Sequence, residues 1–136
     1  MTLADTGPLV ALIDAGEPDH ARCRDAIAGL SAPLLTTWPV LTEAMHLLGD
    51  AAGWRGQRAL WDLLGHDVLS LADLGDAERR RARALMEKYA DVPMDLADAT
   101  LVAVAESRGV RRILTLDRDF GVYRLHGRHA FEVVPA

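Results

Sequence analysis

The sequence predicts an α/β fold in three layers, with helices on both faces of a central, mostly parallel sheet. Three observations carry this expectation. Short apolar runs alternate with segments of helical periodicity along the chain. The first run (residues 1–4) and a late one (residues 112–116) read as buried strands, which a sheet covered on both faces requires. The 136 residues are half hydrophobic and 26% charged, with no internal repeat or linker, so one domain spanning 1–136 with a real core is expected.

The elements follow in order. Residues 1–4 form strand one, and a helical pattern starts at Pro8 (Leu9, Leu12, Ile13) and stops near Gly16. A second helix covers about 18–30, and residues 33–37 form strand two. Pro39 suits the first turn of the next helix, which ends by Gly49. Residues 54–64 make another helix closed by Gly65, followed by a strand at 67–71. A charged helix spans 76–89 with Asp76 as its cap, and an amphipathic helix spans 95–108 before Gly109. Strands at 112–116 and 131–134 complete the sheet.

Bulk properties exclude several classes. No apolar run reaches the ~18 residues a membrane span needs, and no basic-then-apolar leader opens the chain. The single cysteine, Cys23, forms no internal disulfide, which suits a cytoplasmic protein; it reads as a small core residue. A net charge of −5 argues against long-range attraction to nucleic acid, unless a bound cation cancels the acidic excess where a phosphate sits. Lys88 is the only lysine, and the densest basic run, Arg79-Arg80-Arg81-Ala82-Arg83, reads first as a solvated helix face.

Acidic residues recur where strands end or helices begin. The carboxyl ends of strands in an open α/β sheet share one edge, so carboxylates distant in sequence can meet there. Such a group repels itself unless a proton or cation intervenes, and a hard divalent metal, Mg²⁺ or Mn²⁺, is the simplest occupant. Asp5 follows strand one and is either a helix cap or a metal ligand. Glu43 falls in the stripe Val40, Ala44, Leu47, Leu48, which makes it an inward carboxylate held by a metal or by an arginine. Asp95 and Asp98 share a face in the first turn of their helix; Asp95 reads as a cap and Asp98 as a ligand. Asp117 ends a strand and is preferred over Asp119 as the functional residue. Thr6 and Thr115 stand beside these acids as supporting hydroxyls or as turn and strand residues, and Arg118 reads as either a substrate contact or a local ion-pair partner.

Taken in order, Ala4-Asp5-Thr6-Gly7-Pro8-Leu9, Thr42-Glu43, Leu96-Ala97-Asp98-Ala99-Thr100-Leu101-Val102-Ala103 and Leu114-Thr115-Leu116-Asp117-Arg118-Asp119-Phe120 resemble the PIN-domain family, in particular VapC-type toxins of toxin–antitoxin pairs. The resemblance runs over residues 3–134. It implies a PIN-like fold and a Mg²⁺- or Mn²⁺-dependent ribonuclease, dimeric and held inactive by a cognate antitoxin. It also implies that Asp5, Glu43, Asp98 and Asp117 form the acidic site, with Asp95 and Asp119 at less constant positions. Metal-assisted phosphodiester hydrolysis needs no protein nucleophile. A PIN-domain nuclease of RNA processing without an antitoxin and a non-catalytic PIN-like binding module are the alternatives, the latter disfavoured because all four acidic positions are filled. A haloacid-dehalogenase-type phosphatase is excluded by Gly7, where a second aspartate is needed, and a response-regulator receiver by the lack of a lysine after the last strand. No GxxxxGK phosphate loop is present.

Overall fold

A computed structural model describes residues 1–136. Its elements are β1 (Thr2–Ala4), α1 (Thr6–Ile13), α2 (His20–Ala28), β2 (Leu34–Thr36), α3 (Trp38–Gly65), β3 (Leu69–Leu71), α4 (Asp76–Lys88), α5 (Leu96–Arg108) and β4 (Arg112–Leu114). A 3₁₀ turn (Arg118–Gly121) and β5 (Arg124–Leu125), β6 (His129–Ala130) and β7 (Glu132–Val134) follow.

The main sheet has the order β3-β2-β1-β4-β7, and every pairing in it is parallel. Leu3 is in register with Leu35 on one side and Ile113 on the other. All residues of β1 and β2 are buried, as they must be when helices cover both faces. The chain moves outward from β1 to β2 and β3, then returns to the other side of β1 for β4 and β7. α1 packs on α2 and α3, α4 packs on α5, and α3 meets α5. The reversal of strand order makes β1/β4 the switch point, where the strand ends diverge and leave a crevice.

The two helices expected around 39–49 and 54–64 are both present: α3 is interrupted at Gly53, whose φ of +61° and ψ of −148° are non-helical and open to glycine alone without strain, so its two halves are distinct helices. Several elements differ from expectation for identifiable reasons. The cap of α4 is Gly75, and Asp76 lies inside the first turn, where it faces the helix dipole. α5 is buried at every position from Ala97 to Ala105 rather than amphipathic, because α4, α3 and β5 all pack on it. It stops at Gly109 in the left-handed region, φ +67°. The antiparallel β5–β6 hairpin was not anticipated; its strands of two residues are too short to show alternation. Glu106 of α5 ties this region together, accepting two hydrogen bonds from Arg81 of α4 (2.7 and 3.1 Å) and one from the His126 backbone N–H.

One apolar core of thirty buried residues fills the fold, and Cys23 is buried as expected. Trp54 and Trp61 do not join it. They are 64% and 45% exposed, so their seven-residue spacing marks a surface face of the helix after Gly53, and Trp38 and Leu47 are exposed on the helix before it. No helix is long and apolar enough to cross a membrane.

Candidate metal centre

Asp5 leaves the end of β1 with its N–H bonded to the Leu114 carbonyl of β4, so the backbone itself fixes its position. Its carboxylate is the helix cap the sequence allowed, and its second oxygen is also engaged. Oδ1 caps α1 by accepting the Thr6 N–H at 2.7 Å, and Oδ2 accepts the Thr115 hydroxyl at 2.7 Å. The same Thr115 Oγ1 receives the Asp117 N–H at 3.0 Å, so one hydroxyl locks Asp5 to the turn that presents Asp117. Asp117 caps the 3₁₀ turn through the Asp119 N–H at 2.9 Å. It is thus the turn residue as well as a cleft residue, and Asp119 does not line the cleft.

Asp98 arrives from the first turn of α5. Asp95 is the N-cap, accepting the Asp98 N–H at 2.8 Å. Asp98 Oδ2 accepts the hydroxyl of Tyr123, a fully buried residue, at 2.9 Å. Tyr123 went unrecognised in the sequence, since a tyrosine 25 positions downstream, beyond a turn, carries no spacing signal. Its ring is held edge-on by Phe120 and Tyr89, with centroids 5.1 Å away in each case.

Carboxylate oxygens of Asp5, Asp98 and Asp117 all lie within 4.8 Å of one another. They line a cleft of about 280 Å³ together with Thr6, Gly7, Glu43, Asp95 and Leu116. Glu43 stands at its edge. The expectation of an inward carboxylate is corrected here. Val40, Leu41, Ala44 and Leu48 form the buried stripe of α3, while Glu43 and Leu47 sit outside it in solvent. The cleft end of Glu43 is held by the Thr6 hydroxyl, 3.1 Å from Oε2, and by no arginine.

Charge is the main feature of the cleft. None of the ion pairs in the fold involves Asp5, Glu43, Asp95, Asp98 or Asp117. Burial pushes the Asp5 carboxyl up to about 6, with Asp117 and Asp95 adding to it against the hydrogen bonds from Thr115 and Thr6. Burial, then the Asp95 charge, pushes Asp98 up to about 8 despite the Tyr123 hydrogen bond. The Tyr123 phenol is itself raised, by burial first and then by its bond to Asp98, so it stays a donor. Three converging oxygen donors, two of them buried and none neutralised by a side chain, match what a hard divalent cation requires. No nitrogen or sulfur ligand shares the cleft, which disfavours a softer metal.

Comparisons with known proteins identify the family and the fold. The sequence pattern of the PIN domain family matches residues 2–124. Ribonuclease VapC26 of Mycobacterium tuberculosis is 34% identical over 134 residues, covering 98% of this chain and 99% of that protein. The crystal structure of Mycobacterium tuberculosis VapC20, a Sarcin-Ricin loop cleaving toxin, superposes with a TM-score of 0.83 at 22% identity, over 90% of this chain and 94% of that one. A toxin–antitoxin complex from Klebsiella pneumoniae gives a TM-score of 0.68 at 17% identity, over 87% and 88% of the two chains. At those identities the two structures speak to the fold.

Proposed function

The chain belongs to the PIN-domain family, and from this premise we propose that it is a Mg²⁺- or Mn²⁺-dependent endoribonuclease, acting in the cytoplasm as the toxin of a VapBC-type toxin–antitoxin pair. The observation that carries the reading is the set of three adjoining carboxylates with no cationic side chain among them, in a chain alignable end to end with a ribonuclease. Residues 1–136 act as one catalytic unit.

Asp5, Asp98 and Asp117 hold the cation. When bound, a Mg²⁺ or Mn²⁺ ion supplies Lewis-acid activation and charge neutralisation for phosphodiester hydrolysis. Glu43 lies outside the triad, with one oxygen fixed by Thr6. It accepts a hydrogen bond from the attacking water and takes up its proton as the oxygen adds to phosphorus and the bond from phosphorus to the 3′ oxygen breaks, the 3′ oxygen taking its proton from solvent. Thr115 and Thr6 hold Asp5 and Glu43 in place, and Asp95 fixes the N-terminus of α5 under Asp98.

The partners in this reading are an RNA substrate, a cognate antitoxin and a second copy of the chain. The exposed Trp38, Leu47, Trp54 and Trp61 supply apolar surface of the kind protein partners cover. Purified protein is expected to cut RNA in Mg²⁺ or Mn²⁺ and to stop on addition of EDTA. RNA left intact under both metals would overturn the ribonuclease reading. Rescue of the toxic phenotype by the product of an adjoining reading frame separates a toxin from an unpaired PIN-domain nuclease.

Tyr123 acts through Asp98. Tyr123→Phe keeps the ring in its aromatic packing and removes only the hydroxyl that orients Asp98 Oδ2. Residues that orient a metal ligand are typically worth ~10–100-fold in metal affinity or activity. Mn²⁺ titration by calorimetry should show a loss in that range, with the circular-dichroism spectrum unchanged. Wild-type affinity in Tyr123→Phe would reduce the tyrosine to a packing residue.

A further inference from the structure

The acidic cleft has no cationic side chain among its lining residues, although its proposed substrate is a polyanion. Cations stand beside it instead. A second cavity of about 240 Å³ is lined by Arg22 and Arg118 together with Thr115, Leu116, Asp117 and Val133. The two cavities share Leu116 and Asp117. The cavities along α4 and beside the hairpin share no residue with the acidic cleft. Arg118 is exposed and enters none of the fold's ion pairs. Arg22 is half-exposed; it lies 3.8 Å from the Asp19 carboxylate, and one of its N–H groups donates to the backbone oxygen of Ala136, the last residue, at 3.1 Å. Both guanidinium groups therefore keep free donors.

We propose that Arg22 and Arg118 form a binding subsite for a neighbouring backbone phosphate of the RNA, one step along the strand from the phosphodiester in the acidic cleft. The proposal rests on the ribonuclease reading above and adds where the strand runs. Guanidinium donors match phosphate oxygens two at a time, and such contacts set register without reading sequence. They matter more in a chain of net charge −5, which offers a polyanion little long-range attraction. The denser run on α4 is farther from the site. Arg81 is taken by Glu106 at 2.7 Å and Arg79 lies 3.4 Å from Asp76, and although Arg80 and Arg83 are exposed and unpaired, the cavities along α4 share no residue with the acidic cleft.

The test compares Arg22→Ala, Arg118→Ala and the double variant with Arg111→Ala, whose arginine lines the separate cavity beside the hairpin. Cleavage of a short, mixed-sequence, single-stranded RNA gives kcat and KM. Fluorescence anisotropy of the same RNA across a salt series, in an inactive Asp98→Asn background, gives Kd and its salt dependence. Each subsite variant is expected to raise KM and Kd by ~3–10-fold and to reduce the salt slope by roughly 0.7 per arginine lost. The kcat and the Mn²⁺ affinity should hold. Unchanged Kd and slope in the double variant would overturn the subsite, as would an equal loss in Arg111→Ala, which would mean diffuse attraction. A fall in kcat at constant KM would also overturn it. Failure of the ribonuclease reading is distinguishable, because wild-type protein would then cut no RNA at all.

Discussion

Asp98→Asn is expected to lower metal-dependent RNA cleavage by about 10³-fold or more while making the metal-free protein harder to melt at neutral pH. The loss follows from the role proposed for Asp98. A bound cation contributes several kcal/mol to the transition state of phosphoryl chemistry, and each 1.36 kcal/mol is tenfold in rate. The gain in stability comes from the same carboxylate. Asp98 is buried, faces Asp95, Asp5 and Asp117, and has no cationic partner, so its carboxyl is pushed up to about 8. The folded protein must keep that group protonated at a pH where the unfolded chain ionises it. Asparagine removes this cost and still accepts the Tyr123 hydroxyl through its amide oxygen. The increase should be roughly 5 °C or more at pH 7 and should vanish below about pH 3, where aspartic acid is neutral in both states. Asp98→Ala loses the same activity but strands the Tyr123 hydroxyl in the core, so it should melt below Asp98→Asn. Activity within about tenfold of wild type in Asp98→Asn would remove Asp98 from the ligand set. A lower melting point at pH 7 would refute the electrostatic account.

How much of this site the sequence discloses depends on what kind of contact builds it. Asp5 and Asp117 are legible because each ends a buried strand, and parallel strands bring their carboxyl ends to one edge. Asp98 is legible as the deeper acid of a helix start whose cap is Asp95. Glu43 was singled out by the wrong signal. The apolar stripe passes beside it, and the helix rotates Glu43 toward the mouth of the cleft. Thr115 is legible as a hydroxyl beside Asp117, but not its partner Asp5, 110 residues away, and Tyr123 is not legible at all: both contacts arise only when the turn after β4 folds back against β1 and α5, Tyr123 reaching Asp98 across 25 residues. Neither periodicity nor capping chemistry reports on a contact of that kind. The same holds for the core. Its strands are legible as buried runs, whereas the hairpin at β5–β6 owes its place to Glu106 of α5, which takes the His126 N–H.

The metal-free protein should lose stability as pH rises from about 4 to above 8, and Mn²⁺ or Mg²⁺ should restore it increasingly over the same range. Asp5 and Asp98 carry folded values of about 6 and about 8, above the ordinary 3.8 that applies once the chain unfolds. Between these values the folded state binds more protons than the unfolded state, so stability falls with increasing pH. The contribution is complete below the unfolded value and gone once pH passes the folded values. A cation reverses the balance because it requires the ionised carboxylates, and its binding expels the protons they hold. At pH 7 the two folded values leave Asp98 mostly protonated and Asp5 mostly ionised, which predicts release of about one proton per cation bound. Calorimetric titration of Mn²⁺ in buffers of different ionisation enthalpy measures that number directly. Thermal melts across pH, with EDTA and with excess Mn²⁺, measure the coupled stability. The metal-induced rise in melting temperature should be small at pH 5 and reach a plateau above about 8, since ligand stabilisation grows with the ratio of free ligand to Kd. A rise independent of pH, together with no proton release, would place the cation away from Asp5 and Asp98. Absence of any rise would remove the metal centre itself.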